Sequence, residues 1–370
     1  MISIKVVLLI ALVASQTMAG NRKCRALVMS GGGDKGSYEA QAVKVWTDLL
    51  SKEDMSYDVI TGVSAGSLNG SFLGSYKPGD ESEGADKMLE TWQALKPKDA
   101  FKMWPGGVLE GIFQKQGIFD ESPLRDFLKK VLGERSVQKK MGLGSVDMNT
   151  GEFLSYDYED TEYTEDYWDS VIASTAMPLA FEPVKTRDGR TLLDGGVVWK
   201  MDVPGAIRRC LEIVDDEEDI ILDAIMTAQT FLPEVDDVSD FTTLGHLRRG
   251  LEIKSYHKNM KIVNNTLIAH PKVNFRYILA PSVTLTISPI PLDLSQKHLE
   301  FCYGVAKKDA TAAVRLGPGG YMNMLLEHTE KLQNGEDSRL DQMLETKLQL
   351  LEAQEAQKAE TTAEEVLKSE

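Results

Sequence analysis

The chain has 370 residues, 42% of them hydrophobic, and a formal net charge of −16 at pH 7. That length and apolar content can bury a large core, as one sizeable domain or two. The acidic balance argues against nucleic acid as a partner and against simple attraction to anionic bilayers.

Lys5 precedes the apolar run Val6 to Ala14, which is too short to span a bilayer comfortably, and small residues up to Ala19 follow it. Residues 1–20 therefore read as a secretory signal peptide, with an uncleaved anchor as the alternative, and the mature chain is expected to be secreted or lumenal. The next apolar run, Ala26-Leu27-Val28-Met29, leads into Gly31-Gly32-Gly33-Asp34-Lys35-Gly36. This reads as strand, tight turn, helix. Its consecutive backbone N–H groups, free of Cβ obstruction at a helix N-terminus, favour negative charge. The same residues satisfy G-x-G-x-x-G, but the acidic residue at the right distance, Asp58, begins its strand instead of ending it. A P-loop fails sooner, because Ser37 and not lysine follows Gly36.

Tyr57-Asp58-Val59-Ile60-Thr61 then runs into Gly62-Val63-Ser64-Ala65-Gly66, the G-x-S-x-G spacing of a nucleophile elbow. A serine nucleophile beside an anion-stabilising loop is the minimum kit for acyl transfer. Phe101, Met103, Trp104, Val108, Leu109, Ile112 and Phe113 crowd around Pro105-Gly106-Gly107 and read either as an apolar flap or as a loop packed on the core. Further on come Gly117-Ile118-Phe119-Asp120, Asp147-Met148-Asn149-Thr150-Gly151, the stretch Ala173-Ser174-Thr175-Ala176-Met177-Pro178, and Leu193-Asp194-Gly195-Gly196. Alone, Asp194-Gly195-Gly196 is an ordinary Asp-Gly turn. Strands alternating with helices over the first two hundred residues predict a mostly parallel sheet with helices on both faces. Loops at the carboxyl ends of its strands are where such sheets place ligands.

In this order and spacing, the glycine loop, the serine elbow, the A-S-x-A-x-P stretch and D-G-G resemble the patatin-like phospholipases, a family of lipid acyl hydrolases. The resemblance is close over roughly residues 24 to 210 and loose to about 320. It implies an α/β patatin-like fold in which Ser64 is the nucleophile and Asp194 its only protein partner, a dyad without histidine. Gly31, Gly32 and Gly33 would supply the oxyanion-hole N–H groups. The implied reaction is cleavage of fatty-acyl esters of phospholipids or galactolipids at a membrane or micelle surface, with no cofactor and no metal. Two departures stand out: Lys200 falls where the family commonly has asparagine, and Lys35 replaces the more frequent arginine. Two rivals remain. One is a triad esterase whose base is among His246, His257, His270, His298 and His328. The other is a storage or lipid-binding protein that keeps the scaffold with little activity.

The three cysteines, Cys24, Cys210 and Cys302, allow one disulfide and a free thiol, without naming the pair. No C-x-x-C or histidine-rich spacing suggests zinc, and no acidic repeat suggests a calcium loop. Asn69 and Asn264 open glycosylation triplets; Asn69 falls on the helix after the elbow, which makes Asn264 the better acceptor. Leu244 to Lys261 reads as a basic helix, solvated in preference to lying on a membrane. Residues 331–370 form an acidic helical tail beyond a catalytic domain of residues 21–330. Leu340, Leu344, Leu348 and Leu351 fall on one of the tail's stripes, so it is expected to dock early and fray late.

Overall fold

The computed structural model describes residues 22–369, apart from 229, 233, 234, 236, 286–291 and 337. The proposed signal peptide, residues 1–20, lies outside the described residues. Among the described residues there are ten strands: β1 (Cys24–Met29), β2 (Val59–Val63), β3 (Lys102–Met103), β4 (Phe119–Asp120), β5 (Lys140–Asp147), β6 (Phe153–Tyr158), β7 (Val184–Lys185), β8 (Thr191–Asp194), β9 (Ile220–Ile225) and β10 (Asn274–Leu279). Eight form one sheet in the order β10-β9-β1-β2-β5-β8-β7, with β6 also paired to β5. The strands from β10 to β5 run parallel, and β6, β8 and β7 add antiparallel pairings beyond β5. The predicted α/β class with a mostly parallel sheet is therefore the observed one.

The parallel strands are continuous apolar runs, as burial on both faces requires. β2 is buried at all five positions and β1 at five of six. Helix α1 (Gly36–Leu49) follows β1, and α2 (Ala65–Gly74) follows β2. Met141 meets Gly70 and Gly74 of α2, while the next residue, Gly142, meets Arg209 of the helix Val203–Cys210. Because successive strand positions point to opposite faces, these two helices cover opposite sides of the sheet. The expected disulfide joins Cys24 to Cys210, tying β1 to the second of them, and Cys302 is a buried free thiol.

The C-terminal third adds helices to this sheet. Helix α3 (Thr243–Ala269) leads to β10, α4 (Gln296–Leu316) packs on α1, and α5 (Gly320–Gln333) packs against β10. The tail is a helix over Leu340–Ser369. Leu340 and Leu344 enter the common core, while Leu350 is exposed. The early turns dock, as the leucine stripe suggests, with Lys347–Glu327 and Arg315–Glu352 ion pairs alongside.

Candidate active site

β2 ends at Val63, and Ser64 takes φ 55° and ψ −123° before α2 begins. A left-handed conformation is strained for a residue with a Cβ, and such strain persists only where the surroundings hold it. Three contacts hold it here. The Ser64 N–H donates to Ser174 Oγ at 2.9 Å. Ser174 in turn donates to the Gly144 carbonyl at 2.5 Å, and Ser67 Oγ lies 2.8 Å from it. With its one proton on Gly144, Ser174 accepts from both Ser64 and Ser67. The turn also has no room for a side chain at Gly66, where a Cβ would stand 2.3 Å from the Met29 carbonyl oxygen. Elbow and glycine loop are thus pressed together at the ends of β2 and β1.

The glycine loop is clamped from the far side of the sheet. Thr227, just past β9, donates its hydroxyl to the Gly31 carbonyl at 2.7 Å, and its N–H donates to Ser30 Oγ at 2.8 Å. A Cβ at Gly32 would stand 2.4 Å from Thr227 Oγ1. Behind the loop, Glu39 accepts from the Ser30 N–H (2.6 Å) and from Asn69 (2.9 Å), while Asn69 also accepts from Trp92 Nε1 (2.7 Å). Asn69 is thus committed to the core, and the exposed Asn264 is the accessible triplet.

The three expected oxyanion glycines divide. Gly31 gives its N–H to the Lys200 carbonyl at 2.9 Å, so its donor is already engaged. Its contribution is close approach, since a Cβ there would stand 3.1 Å from Ser64 Cβ. The N–H groups of Gly32 and Gly33 have no acceptor among the described residues, and Gly33 has φ 62°. These are the donors open beside Ser64.

Asp194 ends β8, opposite Ser145 of β5. Its N–H donates to the Ala176 carbonyl at 3.0 Å, and its Oδ1 accepts from Gly196 at 2.7 Å. Burial raises the carboxyl to about 6; the Ser64 hydroxyl, the Gly196 N–H, Lys200 and Lys258 all pull the other way. Burial also lowers the Lys200 ammonium to about 8, helped by Lys35 and opposed by Asp194. Lys258 reaches in from α3 and donates to the carbonyls of Gly196 (2.9 Å) and Val197 (2.6 Å). The loop after Asp194 therefore gets its support from a lysine sixty residues downstream. Helix α3 is more than the solvated surface helix its sequence suggests, because Arg249, Ser255, Tyr256 and Asn259 wall the site. Leu247 and Leu251 on its other side are exposed.

Ser64, Asp194, Gly31, Gly32 and Gly33 all line one cavity of about 660 Å³, with Lys35 and Lys200 beside them. This is within the range of small-molecule sites. A smaller, apolar cavity of about 80 Å³ meets it at Gly33, Ser64 and Met177 and runs among Leu68, Trp92, Leu95, Phe101 and Leu124. None of the five histidines lines either cavity. His298 pairs with Asp34, His270 with Glu217 and His328 with Ser338. Among the described residues no cluster of three His, Cys, Asp or Glu side chains could hold a metal ion.

The apolar segment 101–113 divides as well. Phe101 packs on Phe119 and Phe181, with ring centroids 4.8 and 6.3 Å away. Val108, Leu109, Ile112 and Phe113 stay exposed on the short helix Gly107–Phe113. The two softer sequence matches have structural roles. Ile118 and Phe119 donate their N–H groups to the carbonyls of Leu179 and Ala180, and Asp147 to Gly151 is the tight turn between β5 and β6.

An elbow serine and open backbone donors at the carboxyl ends of the parallel strands β2 and β1, with a buried carboxylate at the end of the antiparallel strand β8, are the parts that acyl transfer requires. Residues 27–207 match the family described as patatin-like phospholipase. The chain carries a domain of that family, and the family is one of lipid acyl hydrolases. Among solved structures, VipD from Legionella pneumophila is similar with 12% identity and a TM-score of 0.37, over 88% of this chain and 79% of that one. No curated protein matches the chain.

The sequence names Ser174 within a motif but assigns it no task. It places Lys258 only on a basic helix, and it is silent on Thr227, Glu39 and Glu121. Thr227 and Lys258 lie beyond the matched motifs, and no local spacing connects them to Ser64.

Proposed function

We propose that the protein is a serine-dependent lipid acyl hydrolase that cleaves fatty-acyl esters of phospholipids or galactolipids through a Ser64 acyl-enzyme. The observation that carries this reading is the shared cavity, in which a strained serine faces a buried carboxylate and two open backbone donors. Ser64 Oγ attacks the ester carbonyl while Asp194 takes its proton. A carboxylate with an ordinary pKa of about 3.9 is a poor base, and burial of Asp194 improves it. The carbonyl oxygen, now negative, is held by the Gly32 and Gly33 N–H groups. Collapse expels the alcohol, which takes the proton from Asp194. Water then gives its proton to Asp194 and attacks the acyl-enzyme; Asp194 passes that proton to the departing Ser64 Oγ, which releases the fatty acid and restores both residues.

The apolar cavity suits the acyl chain, and the larger one the rest of the lipid. Lys35 and Lys200 would favour a negative or polar head group there. Contact with a lipid surface would fall to the apolar rim. Leu109 and Phe113 are 68% and 78% exposed, and Leu179, which follows cavity residues Met177 and Pro178, is 71% exposed. The Cys24–Cys210 disulfide is in keeping with a secreted or lumenal protein. The absence of a histidine from both cavities favours the dyad over a triad.

The test is fatty-acid release from a mixed phospholipid and galactolipid panel by wild type, Ser64→Ala and Asp194→Asn. Release by wild type alone, with both variants folded, supports the dyad. Near-wild-type turnover by Asp194→Asn rules it out, and an inert wild type points to a scaffold kept for binding or storage.

A further inference from the structure

The apolar cavity beside Ser64 has one feature that a hydrocarbon chain does not explain. Glu121, the residue before the helix Ser122–Leu132, turns its side chain inward and lines the cavity. It is 8% exposed; among the described residues no hydrogen bond of full geometry reaches either carboxyl oxygen, and the one side chain beside it for such a bond is that of Thr175. The two polar side chains nearby each have a further partner. Thr175 donates its proton to the Ile172 carbonyl at 2.9 Å. Arg125, one turn further along, gives its guanidinium to Asp169 (2.5 Å) and Glu165 (3.4 Å). Around Glu121 the cavity is walled by Leu68, Trp92, Leu95, Phe101, Leu124 and Phe181. A buried polar group without a partner is costly, and native proteins rarely leave one unless a ligand or bound water completes it.

We infer that Glu121 is a specificity-determining residue that selects acyl chains bearing a hydroxyl group, which would hydrogen-bond its carboxyl inside the apolar cavity. This rests on the reading of the cavity beside Ser64 as the acyl site. Burial raises the Glu121 carboxyl to about 8, so at neutral pH it is an acid that can both give and accept a hydrogen bond. A hydroxyl does the same, and the two form a reciprocal pair with no charge to bury. An unsubstituted chain offers Glu121 nothing.

The experiment is calorimetric binding of a positional series of monohydroxy fatty acids, each against its unsubstituted parent, to the folded Ser64→Ala protein. It needs no turnover, so its outcome is separate from that of the ester-hydrolysis test. The expected result is about tenfold tighter binding of at least one positional isomer, the scale of one satisfied buried hydrogen bond. Glu121→Leu in the same background should bring the ratio to about one. Glu121→Gln, which can still donate and accept, should keep part of it, and it stands in if the leucine variant fails to fold. Equal affinities across the series, no binding of any fatty acid, or a preference that survives both substitutions would each overturn the inference.

Discussion

Ser174 accepts the backbone N–H of Ser64 at 2.9 Å and passes its own proton to Gly144 on the neighbouring strand β5. A serine from the end of the helix Glu165–Thr175 thus holds the strained elbow against the sheet. Ser174→Ala leaves the Ser64 N–H buried without that acceptor, at a cost of about 1–3 kcal/mol. The expected result is a loss of about tenfold or more in kcat on a soluble ester, with KM little changed. An unaltered kcat would show that the elbow holds itself.

Gly32→Ala places a methyl group 2.4 Å from Thr227 Oγ1, so the loop or Thr227 must move. Both ways disturb the donors that face the reacting carbonyl. Loss of one oxyanion donor elsewhere lowers kcat about 10²–10³-fold, and a fall on that scale is expected here in steady-state ester hydrolysis. Thr227→Ala in combination should not restore it, because the Cβ of residue 227 itself stands 2.6 Å from the added methyl.

The carboxyl of Asp194 titrates near 6 and must be ionised to take a proton from Ser64. Activity should therefore rise with pH through about 6. Lys200 favours the ionised form, so Lys200→Met raises the Asp194 pKa and moves the acid limb of the pH–rate profile to higher pH. A limb that stays in place would remove Lys200 from the electrostatics of the site.

Glu39 is fully buried between the Ser30 N–H and Asn69, and burial raises its carboxyl from 4.5 to about 8. The folded state holds this proton more tightly than the unfolded state, so its stabilising effect is complete below about 4.5 and is lost as pH rises through about 8. Thermal midpoints should fall across that window, and less steeply in Glu39→Gln. Equal slopes would show that Glu39 does not carry the effect.

Cys24 and Cys210 close a loop of 186 residues between β1 and the helix on the opposite side from α2. Replacing both by serine should lower stability by about 2–5 kcal/mol in urea unfolding. Activity of the folded fraction should persist, because neither residue lines the active-site cavities.

Much of this was legible in the sequence because it is local. The runs Ala26–Met29 and Val59–Val63, the glycines around Ser64 and the Asp-Gly-Gly turn each encode a backbone conformation within a few residues. Their order suffices to indicate the parallel sheet, and its resemblance to the patatin-like family nominates Ser64 and Asp194. Chain chemistry also limits disulfide formation to one pair among three cysteines. Only the tertiary structure decides the rest. It pairs Cys24 with Cys210 and spends the Gly31 N–H on Lys200. It brings Thr227 and Lys258 from distant elements to clamp the two loops, and it turns Glu121 into an apolar cavity. These outcomes depend on which strand lies beside which and on which buried donor finds an acceptor. Such choices are made by packing across the sheet, where separation along the chain carries no information about distance.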